Sequence, residues 1–251
     1  MANYSKVLMF LTSAFFVFPA LADPPGDFGS AKDTAQELWW DVGPSSFYCH
    51  CPYRLATPEE KAIRKGNLWV IASVCGYQAD DLITSKGKPN ARAMRIEWEH
   101  IVPADWIATG FNCQEMKRDE CRQIDGFKEA EGDLFNLVPA VGEMNGDRSA
   151  RPYGLIDGEE RRYGACDFEV KTTGVGEPHI RGAAEPMPSI RGDAARVWLY
   201  MHDRYGVVLS PEYKALLESW SAADPVDKAE RERHGIIAKE MGWENPFVAG
   251  Q

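Results

Sequence analysis

The sequence predicts a mixed α+β fold, one domain over residues 23–251 stapled by disulfides. Three observations carry this. Two short β-prone stretches, residues 95–102 and 133–138, each run into a proline (Pro103 and Pro139), and a helical pattern follows the second. The final third repeats apolar residues at three- and four-residue spacing, as helices do. Six cysteines follow an export-type leader, an even number in what that leader makes an oxidising setting.

The leader comes first in the chain. Residues 1–6 carry one positive charge, residues 7–19 are almost wholly apolar, and Ala20-Leu21-Ala22 has the small-x-small form of a signal-peptidase site. An apolar run of about 13 residues is short of the ~20 needed to span a bilayer. A signal peptide cleaved after Ala22 is therefore expected, with periplasmic or secreted destination and no membrane association afterwards.

Export decides how Cys49, Cys51, Cys75, Cys113, Cys121 and Cys166 are read. Cys49-His50-Cys51 resembles a ligand cluster, but zinc pairs usually have wider gaps and no second pair is present, so three disulfides are expected. Cys113 and Cys121 are close enough to staple one loop; the other pairings stay open among the fifteen that six cysteines allow. Cleavage removes one lysine and no acid, which leaves 27 basic against 38 acidic residues, a net charge of −11. Binding to a polyanion then requires local basic surface or a bound cation.

In chain order, residues 23–30 are Pro/Gly-rich and read as loose, and residues 31–41 as a short amphipathic helix. Residues 47–53 read as a disulfide-anchored strand or turn, residues 68–74 as a buried strand, and residues 78–93 as polar, with a surface loop at 86–90. Residues 112–131 are a long charged excursion that Cys113 and Cys121 are placed to pin. Residues 133–139 read as a strand and 140–149 as a helix despite Gly146. Beyond lie a strand at 167–170, a Gly/Pro-rich loop at 174–188, and helices at 190–205, 211–221 and 224–241. Repeats, heptads and a Gly-rich phosphate loop are lacking.

The chemistry concentrates in Arg95-Ile96-Glu97-Trp98-Glu99-His100-Ile101-Val102-Pro103. Carboxylates beside an imidazole in an apolar strand are costly unless paired or bound to a cation. A hard cation such as Mg²⁺ is commonly held by one or two protein oxygens plus substrate phosphate; Glu99 offers a carboxylate and Asn145 an amide oxygen. His100, with an ordinary pKa of about 6.5, is largely neutral at pH 7 and suited to take a proton from water. On an ideal strand Glu99 and His100 face opposite sides, so both reach one cleft only where the strand ends or twists. Cation, base and arginine together make a phosphodiester-hydrolysing site.

These motifs, with Asp133-Leu134-Phe135-Asn136-Leu137-Val138-Pro139 and Gly142-Glu143-Met144-Asn145-Gly146-Asp147-Arg148, closely resemble the bacterial endonuclease I family, whose members are ββα-metal (His-Me finger) nucleases. The likeness extends to Phe47–Cys51, Ser73–Tyr77 and 185–196. It implies a ββα-metal core over about residues 93–151. It also implies a monomeric, non-specific endonuclease that cleaves DNA, and often RNA, to 5′-phosphates. Its implied cofactor is Mg²⁺ or another divalent cation such as Ca²⁺ or Mn²⁺. His100 becomes the general base and Glu99 and Asn145 the metal ligands, with Asn136, nine residues before Asn145, bracing the loop. Arg148 shares the Asn145 face and is the first candidate for the scissile phosphate, Arg151 the second. Arg118 or Arg122 stabilises the leaving group. Binding through the phosphate backbone implies affinity that falls with salt. The chain departs from the family in carrying six cysteines, where eight are frequent, and in its acidity.

Other residues read as structural. Glu97 reads as an ion-pair partner, for instance of Arg95, ahead of a contact to the metal; Glu131 and Asp133 read as solvated surface charge ahead of carboxylates that support the site; His50, His179, His202 and His234 read as structural. Arg161, Arg162 and Arg191 are candidates for a DNA-facing patch. The rival reading is an exported binding protein on a catalytically degenerate scaffold. A glycosidase using Glu97 and Glu99 fits poorly, because same-face strand neighbours do not suit the ~5–9.5 Å carboxylate separation of such enzymes.

Overall fold

The computed structural model describes residues 24–63, 66–158, 160–172 and 182–251. The expected signal peptide, His179 and most of the 174–188 loop lie outside them. Helix α1 (Phe28–Asp41) opens the described chain; Asp27 caps it by accepting a hydrogen bond from Ser30 N at 2.9 Å. The Pro/Gly-rich entry is thus a helix start. Ala31, Ala35 and Trp39, at four-residue spacing, form its buried face.

Strand β1 (Tyr53–Leu55), helix α2 (Pro58–Ile63) and strand β2 (Leu68–Val70) follow, β1 and β2 pairing antiparallel. The strand expected over 68–74 stops at Val70, and Ala72–Val74 is a 3-10 turn with Val74 exposed. Cys51–Cys75 joins the two ends of this segment, and Cys49–Cys166 ties it to a point 117 residues on.

The central pair is β3 (Ile96–His100) with β4 (Leu137–Val141), antiparallel, with Glu97 opposite Ala140 and Glu99 opposite Val138. Between them run α3 (Ala104–Gly110), α4 (Arg118–Cys121) and α5 (Phe127–Glu131). The charged excursion therefore contains two short helices, and Cys113–Cys121 closes its first loop.

Residues 133–136 correct the sequence reading. Asp133 accepts from Phe135 N at 2.9 Å and starts a 3-10 turn, so the strand begins only at Leu137 and the helix α6 (Gly142–Arg148) only at Gly142. Pro139 does not end the strand. Its missing N–H is tolerated because the sheet has only two strands, and its carbonyl accepts from Phe47 N.

A third antiparallel pair joins β5 (Phe168–Lys171) to β6 (Ala183–Pro186); the latter falls where a Gly/Pro-rich loop is expected. Helices α7 (Arg191–Tyr205), α8 (Pro211–Ala223), α9 (Lys228–Met241) and α10 (Pro246–Ala249) complete the chain. Helix α7 is buried from Ala194 to Met201, and Trp198 meets Trp106 of α3 edge to face at 5.1 Å. One cluster of buried side chains runs from Ala31 to Met241 and packs the helices behind the β3–β4 pair. Buried Arg196 is held by Glu230 and Asp193, so that charge is structural.

Candidate functional site

Because β3 alternates, Glu97 and Glu99 share one face and His100 the other. Helix α6 lies on the carboxylate face and makes two rungs with it. Asn145 Nδ2 donates to Glu97 Oε2 at 3.0 Å, and one turn later Arg148 Nη1 donates to Glu99 Oε1 at 2.8 Å. Gly142 and Gly146 permit this approach. A Cβ at Gly142 would stand 2.8 Å from Glu97 Oε1, and one at Gly146 would stand 2.3 Å from Arg92 Nη1. Glu97 also accepts from Arg92 and Arg95, so its ion-pair role extends to two arginines and reaches Asn145.

Glu99 is 3% exposed, and Tyr48 Oη donates to the same Oε1 at 2.8 Å. Burial raises its pKa, and the charge of Arg148 and the Tyr48 hydrogen bond oppose the rise. Arg148 is itself wholly buried. Its Nε donates to Arg151 O, Nη1 to His100 O as well as Glu99, and Nη2 to Ile101 O, while its guanidinium lies 4.5 Å over the Tyr153 ring. That is a brace across the β3–α6 seam. A guanidinium wholly buried, with four of its five N–H donors committed inside the protein, is not presented to a phosphate, contrary to the sequence expectation. Arg151 is likewise turned inward, donating from Nη1 to Asp147 O at 2.8 Å.

On the opposite face, the Nε2 of His100 lies 2.8 Å from the carbonyl oxygen of Glu131. A carbonyl only accepts, so Nε2 carries the proton and Nδ1 keeps its lone pair. Burial lowers the His100 pKa to about 4, so the ring is neutral at pH 7. Phe28 stands against the imidazole, ring centroids 4.5 Å apart.

Glu131 and Asp133 are buried, not solvated. The Glu131 carboxylate takes Arg118 and Arg122, the latter at 2.8 Å through Nε. Burial pushes its pKa up, but the two arginines outweigh burial and hold it below the ordinary value. Asp133 accepts from Tyr200 and Tyr205 at 2.5 and 2.8 Å, and burial raises its pKa. The helical spacing of Phe127, Ala130 and Glu131 would have marked Glu131 as core-facing. Phe28 and Tyr48 carry no such mark. Asn136, fully buried, spans the loop after β3: its Oδ1 accepts from Val102 N at 2.7 Å and its Nδ2 donates to Val102 O at 3.0 Å.

The candidate basic patch is neutralised, with Arg161 on Asp167, Arg162 on Asp80 and Arg191 on Glu185. Among the described residues no group of three or more His, Cys, Asp or Glu side chains converges as a metal cage.

Comparison with known proteins gives the class of relative first. The chain is 35% identical to an extracellular deoxyribonuclease of Aeromonas hydrophila over 98% of this chain and 96% of the relative. It is 35% identical to a periplasmic deoxyribonuclease of the same organism, over 93% and 90%. An Endonuclease-1 of Buchnera aphidicola subsp. Acyrthosiphon pisum (strain APS) is 34% identical over 82% of this chain and 74% of the relative. The model of the Endonuclease I family matches residues 31–250, and the chain belongs to that family.

Proposed function

We infer that this protein is an exported endonuclease that hydrolyses phosphodiester bonds of DNA, and of RNA through the same backbone contacts, with the help of a divalent cation. The observation that carries the reading is a neutral His100 with Nε2 fixed and Nδ1 free, one residue from a carboxylate that faces an asparagine-bearing helix. The names of the relatives, extracellular and periplasmic deoxyribonuclease, support both the chemistry and the export. Among the described residues no helix is long and apolar enough to cross a membrane.

The donor set fits a hard cation. The hydrogen bonds of Glu99 fall on Oε1, and Asn145 spends Nδ2 on Glu97, which leaves Glu99 Oε2 and Asn145 Oδ1 as oxygen donors along one strand–helix seam. When bound there, a divalent cation would supply charge neutralisation to the scissile phosphate and the leaving oxygen. His100 takes the proton of the attacking water at Nδ1. Arg118, 43% exposed at its side chain and electrostatically coupled to His100, is the better placed of the two Glu131-bound arginines to meet the departing oxygen. Glu97 orients the Asn145 amide, and Asn136 holds the turn that fixes His100.

Purified oxidised protein should nick and linearise plasmid DNA with Mg²⁺, with activity abolished by EDTA and by His100→Ala. Folded protein that leaves plasmid and RNA intact across Mg²⁺, Mn²⁺ and Ca²⁺ at low and moderate salt would leave the exported binding protein as the surviving reading.

A further inference from the structure

Three chemistry-bearing groups meet on one side chain that the catalytic reading does not use. Phe28, in the first turn of α1, meets the His100 ring at a 37° tilt with centroids 4.5 Å apart; Lys32 Nζ lies over the Phe28 ring at 4.8 Å and the Arg118 guanidinium at 5.5 Å. Phe28 and Lys32 are one turn apart on one helix face. Both are half-buried. The start of α1 is fitted to the residues that orient the base: a Cβ on Gly132, next to Glu131, would come within 2.8 Å of the Asp27 backbone.

The charge ledger points the same way. In an acidic protein, cations that meet a phosphate have to be local, and most arginines near the site are committed. Arg148 and Arg151 turn inward, Arg92 and Arg95 hold Glu97, and Arg122 is held by Glu131 and Asp119; Arg118, also on Glu131 but more exposed, is the one given to the departing oxygen. Lys32 differs: among the described residues no carboxylate pairs with it, and what holds it is the negative face of the Phe28 ring, the side chain that also meets His100.

We propose that Lys32 binds a backbone phosphate next to the scissile one, and that Phe28 is a positioning residue that gathers Lys32, Arg118 and His100 around the substrate strand. The proposal rests on the nuclease reading above. An ammonium carried on a flexible stem suits a contact that reads phosphate without reading sequence.

The test uses the oxidised mature protein and a fluorescent DNA duplex. Binding is measured by anisotropy in EDTA over a salt series, and cleavage is measured separately with Mg²⁺. Lys32→Ala should make the slope of log K against log salt shallower by about 0.9 and raise KM with little change in kcat, while Lys32→Arg keeps wild-type behaviour. Lys228→Ala, which removes a charge that is 89% exposed on α9, should leave the slope unchanged. Phe28→Leu keeps apolar bulk without a ring face. It should lower kcat about 10- to 100-fold through misplacement of the base and render a further Lys32→Ala change silent, and Phe28→Tyr should restore both.

An unaltered salt slope in Lys32→Ala, the same slope change in Lys228→Ala, or wild-type kinetics in Phe28→Leu overturns the proposal. Wild-type protein that binds but does not cleave overturns the hydrolytic reading alone, because the binding arm still decides Lys32. Absence of binding by wild type overturns both.

Discussion

The imidazole of His100 and the backbone carbonyl of Glu131, 31 residues apart in sequence, are joined by a 2.8 Å hydrogen bond, while the carboxylate of the same Glu131 holds Arg118 and Arg122. One residue thereby orients the imidazole by its main chain and a pair of cations by its side chain. Glu131→Gln should leave the base oriented but free the arginines. We expect a stability loss of about 1–3 kcal/mol, from a buried group whose charged partners are left under-satisfied, and a fall in kcat larger than the change in KM. Urea denaturation and steady-state kinetics on the same preparation check it; a variant with wild-type kcat would remove the arginines from catalysis.

The pH dependence follows from His100. Its folded pKa, lowered to about 4 by burial, lies below the ordinary 6.5, so the neutral ring contributes stability that is fully present above pH 6.5 and is lost as pH falls toward 4. The loss should reach at most about 1.4 kcal/mol per pH unit from this group. Denaturation at pH 7 and pH 5 should show a smaller drop for His100→Gln than for wild type. Equal drops would mean that the ring is not held neutral.

Arg148 should prove a stability residue. Removing it leaves Glu99 buried opposite Tyr48 without its counter-charge, and loss of one member of a buried pair costs about 3–5 kcal/mol. Arg148→Ala should therefore unfold at markedly lower temperature. A variant with an unchanged Tm and a raised KM would return Arg148 to the phosphate.

Glu97 and Asn145 give a sharper kinetic test. Glu97→Gln can accept only through its amide oxygen and attracts Arg92 and Arg95 less, so the Asn145 amide loses its fixed orientation. The concentration of Mg²⁺ required for half-maximal activity should rise about 10-fold or more, as with other supporting residues of metal sites. Identical metal dependence in Glu97→Gln would show that Asn145 is oriented by other means.

The disulfides should differ in weight. By loop-closure entropy, opening Cys113–Cys121, eight residues apart, costs about 2–3 kcal/mol, and opening Cys49–Cys166, 117 apart, about 5 kcal/mol. Serine pairs compared by chemical denaturation test the order.

Much of the site was legible because its parts lie in two short runs. The 95–103 stretch announced buried charge, and the resemblance to the endonuclease I family linked it, through Asn136 and Asn145, to the second run. What misled was solvation. Glu131 and Asp133 sit in a charged run and read as surface, yet helix α5 and the Asp133-capped turn direct both inward, where arginines and tyrosines satisfy them. Arg148 read as a phosphate ligand because a helix face says which way a side chain points and not what already occupies it. Pro139 read as a strand end, which holds only for a strand with neighbours on both edges.

By itself the sequence determined the α+β class and the disulfide-rich character, and it put a histidine and two carboxylates in one strand with an asparagine on the following helix. These are local matters of periodicity, residue chemistry and spacing. Tertiary structure alone decided which carboxylate meets which donor, Asn145 on Glu97 and Arg148 on Glu99. It also decided that His100 is held by a carbonyl from the last residue of the excursion, Glu131, and that Phe28 packs against it. Those partnerships join residues tens of positions apart, and only packing fixes which buried polar groups satisfy one another.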